Sequence, residues 1–223
     1  MKNSRYLKNF WNIIIIILSA IVFSFLLILV CTKNEGLNTF DNQISIFFYN
    51  HRVRFADYLF VILSYLGETP TIAVFCIILL ILPSRKKLGI PVTILTFISA
   101  ALNLIIKLTV VRARPEGYFL TEPTLFYSMP TSSSFPSGHS QTANVFYLSL
   151  AFLSFKYIKK DPIKILLTIF ITLFCFFMSF ARIYLGVHYF SDVWAGISLM
   201  VLILSSSILV DRFSFNDSLN IYE

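Results

Sequence analysis

Residues 180–194 read FARIYLGVHYFSDVW and set an arginine, a histidine and an aspartate at the join between two apolar runs. An ionised group near hydrocarbon is costly unless it is paired or wetted, so Arg182, His188 and Asp192 need an explanation. His188 and Asp192 are four residues apart. On one helix face their Cβ atoms would lie about 6 Å apart, close enough for the carboxylate to hold one imidazole nitrogen and leave the other free to attack. The same pair would serve equally well as a helix cap, and this stretch alone does not choose between the two.

Two stretches upstream break the tie. Lys107 precedes Arg114 by seven residues, two turns of helix, so both cations face one way if the helix persists that far, and Pro115 then stops it. A lone Lys there could simply snorkel to the interface. Residues 135–139, FPSGH, lead directly into another apolar run, which puts the backbone N–H groups around Ser137 and Gly138 at a helix N-terminus, a natural anion cradle. An ordinary Pro-Ser-Gly turn accounts for the bend but not for His139. Taken together, three cations, a helix start and two histidines converge from three loops, and that combination suits a phosphate. Arg114 and Arg182 can fork onto its oxygens, Lys107 adds a point charge, His188 is placed to attack phosphorus and His139 to protonate the leaving oxygen, then to activate water. Such a reaction needs no metal and no cofactor.

The elements that must position these residues are membrane helices. The chain has 223 residues, 57% of them hydrophobic and only 13% charged, well above the apolar share of a soluble domain. Its net charge of +7 does not point to nucleic acid, because the Lys and Arg sit in short clusters between apolar runs, where they orient spans. We read one integral-membrane domain over 1–223: an all-α polytopic bundle of six transmembrane helices, with an extracytoplasmic amphipathic segment and loop. The first span runs over 12–31, too long for a signal h-region and without a small-residue cleavage site. A mixed segment, 32–57, with Ile44, Phe47 and Phe48 at helical spacing, reads as an amphipathic helix lying in the interface. The second span ends at Pro83 and starts near Leu59 or at Thr69-Pro70; the third covers 90–111. A long Pro- and Ser-rich loop over 112–138 follows, then spans from about His139, from Asp161-Pro162 to near Arg182, and from Asp192 to Val210. Counting Lys and Arg gives eleven in the segments expected to be cytoplasmic, Lys156 and Lys159 among them, and seven outside. That asymmetry places both termini in the cytoplasm and every candidate reactive residue on the outer face of the cell membrane. Cys31, Cys76 and Cys175 have no metal-like spacing and read as packing residues.

Lys107-x6-Arg114-Pro115, Pro136-Ser137-Gly138-His139 and Arg182-x5-His188-x3-Asp192 resemble, in order and spacing, the three signature motifs of the type 2 phosphatidic acid phosphatase (lipid phosphate phosphatase) superfamily. The likeness covers about residues 57–210. One departure is Ala181, where the family usually has Ser, a difference of at most one hydroxyl contact. The resemblance implies a metal-independent phosphatase on a six-helix core, with His188 as nucleophile, Asp192 its orienter, His139 the acid, and Lys107, Arg114, Ser137, Gly138 and Arg182 holding phosphate. It implies a lipid phosphate partner within the bilayer, with undecaprenyl diphosphate the best match to an outer-face site. Phosphatidylglycerophosphate, phosphatidic acid and lipid A phosphates are the alternatives. The rivals are a lipid phosphotransferase and a non-enzymatic binder of anionic lipid, against which stands the oriented imidazole that mere binding does not need.

Overall fold

The computed structural model describes residues 2–120, 128–155, 158 and 160–219, and among these every regular element is helical. In chain order they are α1 (Lys2–Cys31), α2 (Glu35–Asn50), α3 (Arg54–Leu66), α4 (Thr69–Ile81), α5 (Ile90–Thr109), α6 (Asn144–Phe155), α7 (Asp161–Tyr184) and α8 (Phe190–Leu219). Single π-helical turns, Arg85–Gly89 and His139–Ala143, lead into α5 and α6. Lys156, Lys159 and part of the loop expected over 112–138 lie outside the described residues.

Four helical stretches are long and apolar enough to cross a membrane: Asn9–Cys31, Arg85–Thr109, Asp161–Tyr184 and Phe190–Val210. Helices α3 and α4 add a fifth if they are taken as one span bent by 49°, the bend falling at Gly67-Glu68, where the sequence left the start of the second span open. The fourth expected span, from His139, is described as a five-residue π turn followed by the twelve residues of α6. The protein is an all-α integral membrane protein, with four such spans among the described residues, or five with the bent pair; the six expected are not all found among them. Some helix starts also shift by one residue. Glu68, not Thr69, caps α4, and Lys160, not Asp161, caps α7.

Helix α2 forms where the amphipathic segment was expected, its first turn closed by Asn34, whose side chain accepts the Leu37 N–H at 3.0 Å. Its orientation reverses that of a soluble amphipathic helix. Asp41 and Ser45 are its buried residues, while Phe40, Ile46 and Phe47 are exposed, which suits a helix whose outer surroundings are lipid.

Buried polar contacts tie the helices together, because inside a bilayer apolar contact alone gives little net drive for one helix to choose another. Asn103 of α5 donates to Gln141 Oε1 at 2.8 Å, and Gln141 donates back to the Ser99 carbonyl at 3.0 Å. Asn144 of α6 donates to Ser179 Oγ of α7 at 2.9 Å. At the C-terminal end of α7, Arg52 donates to the carbonyls of Tyr118 and Tyr184, and Tyr184 donates to Asp57 Oδ1 at 2.9 Å. The α7–α8 turn that follows needs Gly186, whose φ is +68° and whose added Cβ would lie 2.0 Å from the Tyr118 carbonyl oxygen.

Candidate active site

The turn that ends α7 presents His188. Its backbone N–H and that of Val187 both donate to the Arg182 carbonyl at 3.1 Å, so His188 sits before α8 rather than on it. Asp192 lies in the first turn of α8 and accepts the Tyr189 N–H at 2.9 Å, the side-chain half of a capping box. The cap expected as the bland alternative is real, but it uses Asp192 without excluding His188. His188 Nδ1 stands 3.7 Å from Asp192 Oδ2, too far for a hydrogen bond. Ser134 fills the gap: its hydroxyl donates to Asp192 Oδ2 at 2.5 Å and lies 3.3 Å from His188 Nδ1.

The tautomer of His188 follows from its neighbours. Arginine only donates, and Arg114 NH1 lies 3.2 Å from His188 Nε2, so Nε2 must carry the lone pair. Nδ1 then carries the hydrogen and donates to Ser134 Oγ. The imidazole is 3% exposed. Its pKa lies well below the ordinary value, chiefly through burial and then through the charges of Arg114, Lys107 and Arg182. A neutral imidazole with its lone pair turned toward a cationic cluster has the chemistry of a nucleophile for an anion.

The cations arrive by a route the sequence did not indicate. Helix α5 ends at Thr109 and Val110 is already extended, so two turns of continuous helix do not align Lys107 with Arg114. They converge instead on the serine loop. Lys107 Nζ donates to the Ser133 carbonyl, and Arg114 Nε donates to the Ser132 carbonyl at 2.9 Å. Arg114 NH1 also donates to the Val187 carbonyl at 2.8 Å, which ties this loop to the turn holding His188.

Arg182 is 1% exposed; its NH1 donates to Ser64 Oγ and stands 3.8 Å from Glu68 Oε1. His139 shares those partners. Its Nε2 lies 2.9 Å from the Ser64 carbonyl, which fixes the hydrogen on Nε2, and 3.7 Å from Glu68 Oε1. The α3–α4 corner is therefore one wall of the site. It approaches so closely that a Cβ on Gly67 would sit 2.5 Å from His139 Cδ2 and 2.7 Å from Met178 Sδ.

Ser137 takes a different part from the one expected. Its N–H is committed to the Asp192 carbonyl at 3.0 Å, and its hydroxyl accepts from Ser140 Oγ at 3.1 Å. It joins the start of the His139 turn to the start of α8, and its N–H is not turned to an anion. Gly138 has helical φ and ψ, and an added Cβ would come no nearer than 3.5 Å to Asn103 Oδ1. The protein's own packing does not demand a glycine there.

Sequence reasoning missed Ser134, Ser64, Glu68, Arg112 and Asp41. Ser134 is only three residues before Ser137, but a run of serines carries no periodic signal. Ser64, Glu68 and Asp41 lie far along the chain from the histidines, with nothing local to mark them.

The family model described as the PAP2 superfamily matches residues 88–214, more than half of the chain. The chain belongs to the PAP2 superfamily. Phosphatidylglycerophosphatase B of Bacillus subtilis (strain 168) is 32% identical over 103 residues, 46% of this chain and 47% of that protein, so the matched region spans about half the length of that relative. Among solved structures, a transmembrane PAP2-type phosphatidylglycerolphosphate phosphatase from B. subtilis superposes with a TM-score of 0.65 at 23% identity, covering 85% of this chain and 94% of that one. Aquifex aeolicus LpxE gives 0.53 at 23% identity, covering 76% and 93%. At that identity the two structures speak to the fold, which is that of the PAP2 membrane enzymes.

Proposed function

We propose that this PAP2 chain hydrolyses a phosphate from a membrane lipid through a phosphohistidine, without a metal. The observation that carries the reading is His188 Nε2, its lone pair 3.2 Å from Arg114 NH1 and its other nitrogen braced through Ser134 on Asp192. In the first step Nε2 attacks phosphorus, the bond from phosphorus to the lipid oxygen breaks, and His139 gives that oxygen a proton. With Nε2–H held by the Ser64 carbonyl, His139 enters this step as the imidazolium, gives up its Nδ1 proton to the lipid oxygen, and regains it from water in the next step. In the second step His139 takes a proton from water, the resulting hydroxide attacks phosphorus, the N–P bond breaks and phosphate leaves. Lys107, Arg114 and Arg182 balance the charge on the equatorial oxygens, and Gly138 leaves room for an oxygen to approach the backbone.

The lipid tail has a place to lie. A cavity of about 410 Å³ beside the end of α7 is lined by Phe40, Ile44 and Phe47 of α2, Phe180 and Ile183 of α7, and Phe190 of α8. Two of its lining residues flank the site in the chain, Ile183 following Arg182 and Phe190 lying two residues after His188.

Phosphatidylglycerophosphate heads the list of substrates because the B. subtilis relative is named for it. Undecaprenyl diphosphate is the second reading, favoured by the excess of Lys and Arg in the segments assigned to the cytoplasm, which puts the termini inside and the site on the outer face where that lipid is released. A panel of lipid phosphates offered to the purified protein in EDTA tests the proposal. Phosphate release from at least one, inhibited by vanadate and lost in His188→Ala while lipid still binds, is expected. A fully active His188→Ala protein would instead support a binding role for the cationic cluster. Adding an acceptor lipid separates hydrolysis from phosphotransfer.

A further inference from the structure

Behind Asp192, on the side away from His188, lies a second ion pair that the chemistry above does not use. Arg112 NH1 donates to Asp192 Oδ1 at 2.6 Å, and its NH2 donates to Asp41 Oδ2 at 2.7 Å. Asp41 comes from α2 and is fully buried. It also accepts the Ser191 N–H at 3.0 Å and the Ser191 hydroxyl at 2.5 Å. The guanidinium itself lies over the Tyr189 ring, 4.4 Å from its centroid.

We propose that Arg112 and Asp41 are positioning residues for the nucleophile, holding Asp192 so that its Oδ2 faces Ser134 and His188. The torsion that turns a carboxylate about its last bond is broad, so packing alone does not hold the plane of the group. Arg112 holds it by taking one oxygen, while the other meets Ser134 and the Tyr189 N–H. Its fork reaches two carboxylates in one plane, which a lysine's point charge cannot do. Asp41 in turn anchors the guanidinium and neutralises it. Without Asp41, a cation as near the site as Arg112 would be drawn to the substrate's phosphate and would let go of Asp192. Buried ion pairs seldom add stability over apolar residues of the same volume; this one has a directional task that apolar residues could not perform. It also makes α2, whose other face carries the exposed Phe40 and Phe47, part of the catalytic support.

The inference rests on the phosphohistidine reading and deepens it. The test is steady-state kinetics on a lipid phosphate that the wild type hydrolyses, with Asp41→Asn, Arg112→Gln and the double variant. Each single change is expected to lower kcat by about 10- to 100-fold, the range for residues that orient a working ligand, with KM within about threefold. The double variant should be no worse than Arg112→Gln, since Asp41 acts through Arg112. Wild-type kcat in a folded variant, a loss confined to KM, or additive losses in the double variant would overturn it. If Asp41→Asn or Arg112→Gln does not fold, Arg112→Lys, which keeps the buried charge, decides: a loss in kcat at constant KM supports the proposal and full kcat ends it. An inactive wild type would sink the enzymatic reading itself, whereas an active wild type with indifferent variants sinks only this inference.

Discussion

In the proposed reaction His188 has to be neutral to attack, and its surroundings favour that form: burial first, then the charges of Arg114, Lys107 and Arg182, hold its pKa well below the ordinary 6.5. The sign is definite. A depressed pKa means the nucleophilic form persists on acidification, so the acid limb of kcat/KM, which reports the free enzyme, should fall below pH 6.5. The same shift erodes stability on acidification, because below about 6.5 the unfolded chain binds a proton here that the folded chain refuses. An acid limb centred at or above 7 would contradict this environment. Ser134 gives a second outcome. Ser134→Ala removes the hydroxyl that spans 3.3 Å to Nδ1 and 2.5 Å to Asp192, and should lower kcat by about tenfold, one hydrogen bond's worth, with KM little changed. An unchanged kcat would mean that Asp192 reaches the imidazole directly. The histidines, Asp192 and the three cations were legible in the sequence because charged residues in an apolar chain must be explained. Ser134 and Ser64 were not, because a serine is unremarkable anywhere.

Helices bring these groups together mainly by how they end. Helix α5 stops at Thr109, three residues short of Arg112, and α8 starts at Phe190, after His188, so neither the Lys107–Arg114 pair nor the His188–Asp192 pair shares one continuous helix. The α7–α8 turn is the sharpest test of this level. Gly186 has φ +68° and the Tyr118 carbonyl beside its missing Cβ. Gly186→Ala therefore combines a strained backbone, about 1–3 kcal/mol, with a clash that must displace the 116–118 segment. Its melting temperature should fall by several degrees and kcat should drop with it, since Val187 and His188 follow directly. A variant with wild-type melting and turnover would show that the turn is not what aims the imidazole. Asp41 teaches the complementary lesson. The period of α2 was visible from Ile44, Phe47 and Phe48 and the segment was read as lying in the interface, but nothing in that reading singled out Asp41 on the buried polar face.

Over the whole chain, an apolar composition and clustered cations were enough to read an all-α membrane protein, whereas the number of spans was not. The bend at Gly67-Glu68 brings Ser64 and Glu68 to His139 and Arg182. The site is thus a meeting of the α3–α4 corner, the serine loop and the α7–α8 turn, and its central claim is that His188 carries the phosphoryl group between lipid and water. The direct measurement is rapid quenching of the wild-type protein with a lipid labelled in its scissile phosphate, followed by mapping of the label on the protein. The account predicts an acid-labile, base-stable phosphoryl group on His188, absent from His188→Ala; label on any other residue, or turnover that survives the loss of His188, would contradict it.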